Sequence, residues 1–187
     1  MKQLWIRFAA EIKQPSINTL SRLIDNAVAE SYEEIVILMT SGGGTTKLGS
    51  AIFNLLRSTP LVTTVYNMGH VESAGVPAFV GGANRFGAPT SKFLLHKASW
   101  HLNERLTRDQ LAEKVAILDS EHEDYFRIFR EVMTCKDEEI HDALHRGRVF
   151  TAEDAVKVGL IQEIRLPVIP VGTKIHHIVD APPRPRS

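Results

Sequence analysis

The sequence predicts an α/β fold built on a mostly parallel sheet. Three observations carry that expectation. Ile35-Val36-Ile37-Leu38-Met39 is an unbroken apolar, largely β-branched run, the pattern of a strand covered on both faces. It stops at Thr40-Ser41-Gly42-Gly43-Gly44, after which Leu48, Ala51, Ile52, Leu55 and Leu56 recur at helical spacing. Leu61–Tyr66 then repeats the scheme, followed by a second turn containing Gly69 and Gly75 and by a short apolar helix ending near Gly81-Gly82. Strand, glycine turn and helix, taken twice in succession, call for crossover connections and parallel pairing.

The remaining elements follow in order. Leu4–Phe8 reads as a short strand, and Pro15-Ser16 opens a helix whose apolar face is Ile17, Leu20, Ile24, Ala27 and Val28. Phe93-Leu94-Leu95-His96 is a further strand. Thr107-Arg108-Asp109-Gln110 forms a capping box, with a hydroxyl at the cap and a glutamine three residues on. From it Leu111, Val115, Leu118, His122, Tyr125, Phe129 and Val132 alternate by four and three. At 1.5 Å per residue that helix reaches roughly 40 Å, enough to cover the sheet or to project toward another subunit. Asp137–Leu144 and Thr151–Val158 read as short helices, the latter ended by Gly159, and Leu160–Ile164 as a closing strand. The expected organisation is one domain over residues 1–165, with the long helix at about 107–133, and a C-terminal extension over 166–187 whose proline-rich end is expected to be disordered.

Composition narrows the function classes. A chain of 187 residues that is 43% hydrophobic and 24% charged can bury a core without staples. Lys plus Arg and Asp plus Glu are both 22, so no basic footprint points to nucleic acid. The lone Cys135 cannot close an intramolecular disulfide, which fits a reducing compartment. The N-terminal run is interrupted by Arg7, Glu11 and Lys13, so it reads as neither a signal peptide nor a membrane anchor. A cytoplasmic protein without a membrane partner is the expectation.

Ligands of open parallel sheets bind at the carboxyl ends of the strands, where both glycine turns fall. Gly42-Gly43-Gly44 is not a Walker loop, because Lys47 follows Thr46 rather than glycine. Nor is it a dinucleotide fingerprint, since Lys47 stands in place of the third glycine. The turn either brings backbone N–H groups close to a ligand or simply needs positive φ. Ser73, between Glu72 and Ala74-Gly75, sits where a strand turns into a helix. It is either a helix cap or a nucleophile whose oxyanion the Ala74 N–H helps to hold. The nucleophile elbow Gly-x-Ser-x-Gly is not matched, because Val71 replaces its first glycine. His96, at the end of its strand, is either a core histidine or the base for Ser73. His141 and His145 are four apart on a helix, but two ligands are insufficient for zinc, and neither a metal nor another cofactor is expected.

Four segments resemble the proteolytic subunit of the ATP-dependent Clp proteases. They are Leu38–Gly44 with the following Leu48–Leu56, Met68–Gly75, Asn84–His96 and Arg146–Ile161, in one order across roughly residues 4–164. The resemblance implies a crotonase-like α/β fold of repeated β-β-α units with a long handle helix. It implies a serine peptidase acting on unfolded polypeptides or peptides, with Ser73 as nucleophile, His96 as base, and an oxyanion hole from the N–H groups of Gly44, Gly43 and Ala74. It also implies a ring-shaped homo-oligomer. A catalytically degenerate scaffold subunit and an acyl-CoA-processing crotonase relative are the alternatives.

Three departures stand out. The family's triad aspartate falls on Gly147, between Arg146 and Arg148, leaving Asp142 and Asp154 as candidate replacements and implying weakened activity. The family's N-terminal axial segment is not matched, which counts against a Clp-type ATPase partner. Gly42 replaces the family's proline, and Glu72 sets a carboxylate next to the serine.

Overall fold

The structure is a computed structural model and describes residues 2–100 and 102–180. The expected disorder at the proline-rich end concerns residues 181–187, which lie outside the described residues. In chain order the elements are β1 (Gln3–Ala9), α1 (Gln14–Ala29), β2 (Glu34–Ser41), α2 (Thr46–Ser58), β3 (Val62–Glu72), α3 (Gly75–Val80), β4 (Asn84–Gly87) and β5 (Lys92–Leu95). Then come α4 (Arg108–Val132), α5 (Asp137–Arg146), β6 (Arg148–Thr151), α6 (Ala152–Lys157), β7 (Glu163–Ile164) and β8 (Ile175–Val179).

The eight strands form one sheet with the order β6-β5-β3-β2-β1-β8, and β4 and β7 branch from β3. Every pairing is parallel except β5–β6. The fold is mixed α/β and crotonase-like. Alternation along β1 and β2 explains the apolar run. Ile6, Phe8, Ile35, Ile37 and Met39 face the helices and pack with Phe53, Phe79, Phe93 and Phe129. Trp5, Val36 and Leu38 face the opposite side with Tyr66 and Phe86. Arg165 roofs that second cluster, its guanidinium 3.6 Å from the Phe86 ring centroid.

β3 is longer than the sequence suggests, and this places the site. Its first half pairs with β4, from Thr64–Asn84 to Asn67–Gly87, and its second half pairs with β5 through His70–Lys92, Val71–Phe93 and Glu72–Leu94. Gly69 signals a turn locally, but pairing with β5 keeps the chain extended to Glu72. Two other segments depart from expectation. Only Glu163–Ile164 of the anticipated closing strand pairs, beside β4. The extension carries β8, which adds parallel to the edge of β1 from Trp5–Ile175 to Ala9–Val179.

Thr107 caps α4. Its Oγ1 accepts from the Gln110 N–H at 3.3 Å, and Gln110 Oε1 accepts from the Thr107 N–H at 2.9 Å. Tyr125, Phe126, Ile128 and Phe129, on the C-terminal half of the helix, are buried. Leu111 and Val115, on the N-terminal half of its apolar seam, are 48% and 50% exposed, and Ile117, on another face, is 43% exposed.

Candidate active site

The site lies where β2, β3 and β5 end. At the end of β2, Ser41 is buried, and its hydroxyl donates to the Ala10 carbonyl at 2.8 Å and accepts from the Gly43 N–H at 3.2 Å. Ile12 clamps the turn from the other side: its N–H donates to the Gly43 carbonyl at 2.7 Å, and its carbonyl accepts from the Thr45 N–H at 2.9 Å. Tyr125 of α4 ties the following helix down, donating to the Thr46 carbonyl at 3.2 Å. Burial raises the Tyr125 phenol well above its ordinary value.

Gly43 and Gly44 have φ of +91° and +146°, a region side-chain-bearing residues rarely adopt. Contact forbids side chains there as well. A Cβ on Gly43 would lie 2.6 Å from Ser73 Cβ, and one on Gly44 would lie 2.5 Å from the Ile12 carbonyl oxygen. The glycine turn and the serine turn therefore touch.

Ser73 occupies the left-handed region at φ 51°. Such a conformation costs a non-glycine residue roughly 1–2 kcal/mol and persists where its surroundings over-determine it. Here the Ser73 N–H donates to the Leu94 carbonyl of β5 at 2.8 Å, and its own carbonyl accepts from the Val76 N–H at 2.9 Å. The side chain is half-buried. Next to it, Ala74 is fully buried, and its N–H has no acceptor among the described residues; the N–H of Gly44, an exposed residue, has none there either. Of the three N–H groups singled out in the sequence, that of Gly43 is already engaged by Ser41. A buried N–H without an acceptor is rare and calls for an explanation.

His96 follows β5, the strand adjacent to β3, and is half-buried. Its Nδ1 lies 2.8 Å from the Lys97 carbonyl oxygen. A carbonyl can only accept, so Nδ1 carries the proton in that bond and the neutral ring keeps Nε2 as a free base. No direct hydrogen bond joins the Ser73 hydroxyl to the imidazole among the described residues. Such contacts are often long before substrate binds.

Gly147 ends α5 at φ +73°, and a Cβ built on it would lie 3.7 Å from His96 Cβ. That position lies beside His96 and carries no carboxylate. The two other carboxylates have different partners. Asp142 pairs with Arg146 at 2.6 Å. Asp154 accepts from the Thr151 hydroxyl at 3.1 Å and pairs with Lys157 at 3.6 Å. The hydrogen bonds from Thr151 hold the Asp154 carboxyl below its ordinary value. Glu72 is occupied by its strand neighbour His70, whose Nδ1 lies 3.3 Å from Glu72 Oε1. His141 stacks on Phe126 with ring centroids 4.0 Å apart, and no group of three or more His, Cys, Asp or Glu among the described residues could hold a metal.

Sequence reasoning missed Ser41 and the Lys97 carbonyl. Ser41 could have been suspected as the last hydroxyl before three glycines. A backbone carbonyl leaves no signature in side-chain types.

Comparison with known proteins gives a consistent picture. A family model described as Clp protease matches residues 1–167. The chain is 28% identical over 136 residues to the ATP-dependent Clp protease proteolytic subunit 2 of Pseudomonas aeruginosa, covering 72% of this chain and 67% of that protein. It is 24% identical over 163 residues to subunit 1 of Mycobacterium leprae, covering 85% of this chain and 80% of the other. Among solved structures, an asparagine-to-aspartate mutant of ClpP1 from Listeria monocytogenes superposes with a TM-score of 0.76 at 20% identity, covering 88% of this chain and 91% of that one, a likeness of fold.

Proposed function

The chain belongs to the Clp protease family, and from that premise we propose that it is a serine endopeptidase hydrolysing peptide bonds of unfolded proteins or peptides. The observation that carries the proposal is Ser73 itself, held at φ 51° against Gly43, with the acceptor-less N–H of Ala74 beside it. The reaction starts when Ser73 Oγ attacks the scissile carbonyl as His96 Nε2 takes its proton. The oxygen that gains negative charge is received by the Gly44 and Ala74 N–H groups. Collapse breaks the C–N bond, and the His96 proton goes to the departing amine. Water then repeats the sequence on the acyl-enzyme and releases the acid.

The Lys97 carbonyl serves as the orienter in this reading. It selects the correct imidazole tautomer without adding a negative charge, so tautomer selection is kept and charge stabilisation of the imidazolium is reduced. We assign the third position to this carbonyl rather than to Asp142 or Asp154, since both carboxylates are engaged elsewhere.

Assembly as a ring-shaped homo-oligomer is part of the proposal. Leu111, Val115 and Ile117 support it, because a helix half with this much exposed apolar surface gains by covering it against another copy. No helix among the described residues is long and apolar enough to cross a membrane. We place the protein in the cytoplasm on the strength of its lone cysteine.

The direct test is hydrolysis of an unfolded protein substrate by the full chain, with Ser73→Ala beside it. Cleavage that disappears in the variant supports the proposal. Cleavage that survives it removes Ser73 from the mechanism. The second reading, a scaffold subunit without activity, draws on Gly147, which leaves His96 with no facing carboxylate. It expects a folded oligomer that cleaves nothing.

A further inference from the structure

The family model matches residues 1–167, and β8 lies beyond that stretch. β8 runs parallel to β1 up to the Ala9–Val179 pair, so both strands end on the side of the sheet where the glycine turn lies. Just past that end, Asp180 reaches across to the chain leaving β1. Its Oδ2 accepts from the Glu11 N–H at 3.0 Å. Glu11 precedes Ile12, the residue that clamps the glycine turn.

That bond completes the backbone pairing of residues 11–13. The Ile12 N–H donates to the Gly43 carbonyl at 2.7 Å, and the Ile12 carbonyl accepts from the Thr45 N–H at 2.9 Å. The Lys13 N–H donates to Ser16 Oγ at 3.0 Å, and the Glu11 carbonyl accepts from the same hydroxyl at 2.8 Å. The Lys13 carbonyl accepts from the Ile17 N–H at 3.1 Å. All but one of these partners lie between Ser16 and Thr45; Asp180 alone comes from the C-terminal extension. The Glu11 side chain does not compete for its own N–H, because it pairs with Lys13 at 2.7 Å.

From Ile12 the path to the chemistry is short. Ile12 and Gly44 form a parallel bridge, and a Cβ on Gly44 would lie 2.5 Å from the Ile12 carbonyl oxygen. Contacts this close pass a displacement on instead of absorbing it. Gly43, in the same turn, abuts Ser73.

We infer that Asp180 is a positioning residue for the turn of Gly43 and Gly44, acting through the Glu11 N–H and Ile12. β8 brings a carboxylate to a backbone donor that would otherwise turn to water, and a charged acceptor makes the stronger kind of hydrogen bond. The consequence for catalysis rests on the peptidase reading, in which the Gly44 N–H receives the oxyanion. Misplacing a group by about 1 Å can cost about a hundredfold in rate, and a single solvent-exposed bond governs a fraction of that.

The test compares the full chain with Asp180→Ala and with Asp180→Asn, whose amide oxygen still accepts. Amide hydrogen exchange reads the clamp without any chemistry. Asp180→Ala should speed exchange of the Ile12 and Thr45 N–H groups by about tenfold, leave those of Phe126 and Phe129 on α4 unchanged, and be largely reversed by Asp180→Asn. Hydrolysis of β-casein reads the consequence: Asp180→Ala should lower kcat by about fivefold at unchanged KM, with recovery in Asp180→Asn. Exchange at Ile12 and Thr45 that ignores Asp180→Ala, exchange that quickens equally on α4, or an unchanged kcat in active protein would overturn the inference. Failure of the peptidase reading looks different: a wild-type chain that cleaves nothing, or cleavage that survives Ser73→Ala, leaves the exchange result to decide.

Discussion

The Nδ1–H of His96 donates to the carbonyl of Lys97, the next residue, at 2.8 Å, while Gly147, on which a Cβ would lie 3.7 Å from His96 Cβ, carries no carboxylate. The two facts divide the work of a triad acid. In the proposed mechanism the backbone chooses the tautomer, and charge stabilisation of the imidazolium is reduced.

Gly147→Asp should therefore raise kcat/KM by about tenfold, the difference between a charge-assisted and a neutral hydrogen bond, rather than by the four orders that a wrong tautomer costs. The price is strain at φ +73°, roughly 1–2 kcal/mol, read as a lower Tm. Unchanged kcat/KM in a folded variant would mean that the added carboxylate does not reach the imidazole.

Ser73 carries strain that glycine would relieve. Ser73→Gly should be more stable than Ser73→Ala by about 1 kcal/mol, a Tm difference of about 2–4 °C for a chain of this size. Thermal unfolding of the pair measures it, and equal Tm values would show that φ 51° is not strained here.

Gly43→Ala tests the contact between the turns. Its Cβ would have to sit 2.6 Å from that of Ser73, at a φ of +91°, so turn and serine cannot both hold their places. Peptidase activity should fall by about a hundredfold or more, the scale of losing an oxyanion donor, with a lowered Tm. Near-normal activity in this variant would separate the glycine turn from the chemistry.

How much of this was legible in the sequence depends on the range of the interaction involved. The β2 run was legible because covering both faces leaves an unmistakable apolar stretch, and the start of α4 because Thr107 and Gln110 cap locally. Ser73 was legible as a residue at a strand-to-helix junction. The extension of β3 through Gly69 was not, because its cause is pairing with Lys92–Leu94, more than twenty residues along the chain. Nor was β8, although Ile175-His176-His177-Ile178-Val179 carries strand residues, since only the free edge of β1 gives it a place. Within the site, side-chain types pointed to Ser73 and His96, whereas the free N–H groups and the Lys97 carbonyl are properties of chain path.

His122 on α4 gives a pH dependence. Its Nδ1 is buried without a hydrogen-bond partner among the described residues, and burial foremost, then the nearby Lys97, lowers its pKa from the ordinary 6.5, with His141 adding to that and Glu123 and Asp119 opposing it. Below pH 6.5 the unfolded chain binds this proton more readily than the folded one, so the contribution is complete above 6.5 and is lost as pH falls toward the lowered value. His122→Gln should make the decline of Tm between pH 7 and about pH 5 shallower. An identical slope would assign the decline to other groups.

Surface on α4 bears on assembly. Leu111→Glu with Val115→Glu should leave the domain folded, since both side chains are about half exposed, and should reduce the sedimenting mass. A mass unchanged by the double substitution would move the interface elsewhere.

The central claim is that Ser73 is an activated nucleophile despite Gly147. Reaction of the full chain with a fluorophosphonate, followed by intact mass and peptide mapping, tests it most directly. The account predicts one modification, on Ser73, absent in Ser73→Ala and strongly slowed in His96→Ala. A folded protein that stays unmodified, or one modified equally fast without His96, would contradict it.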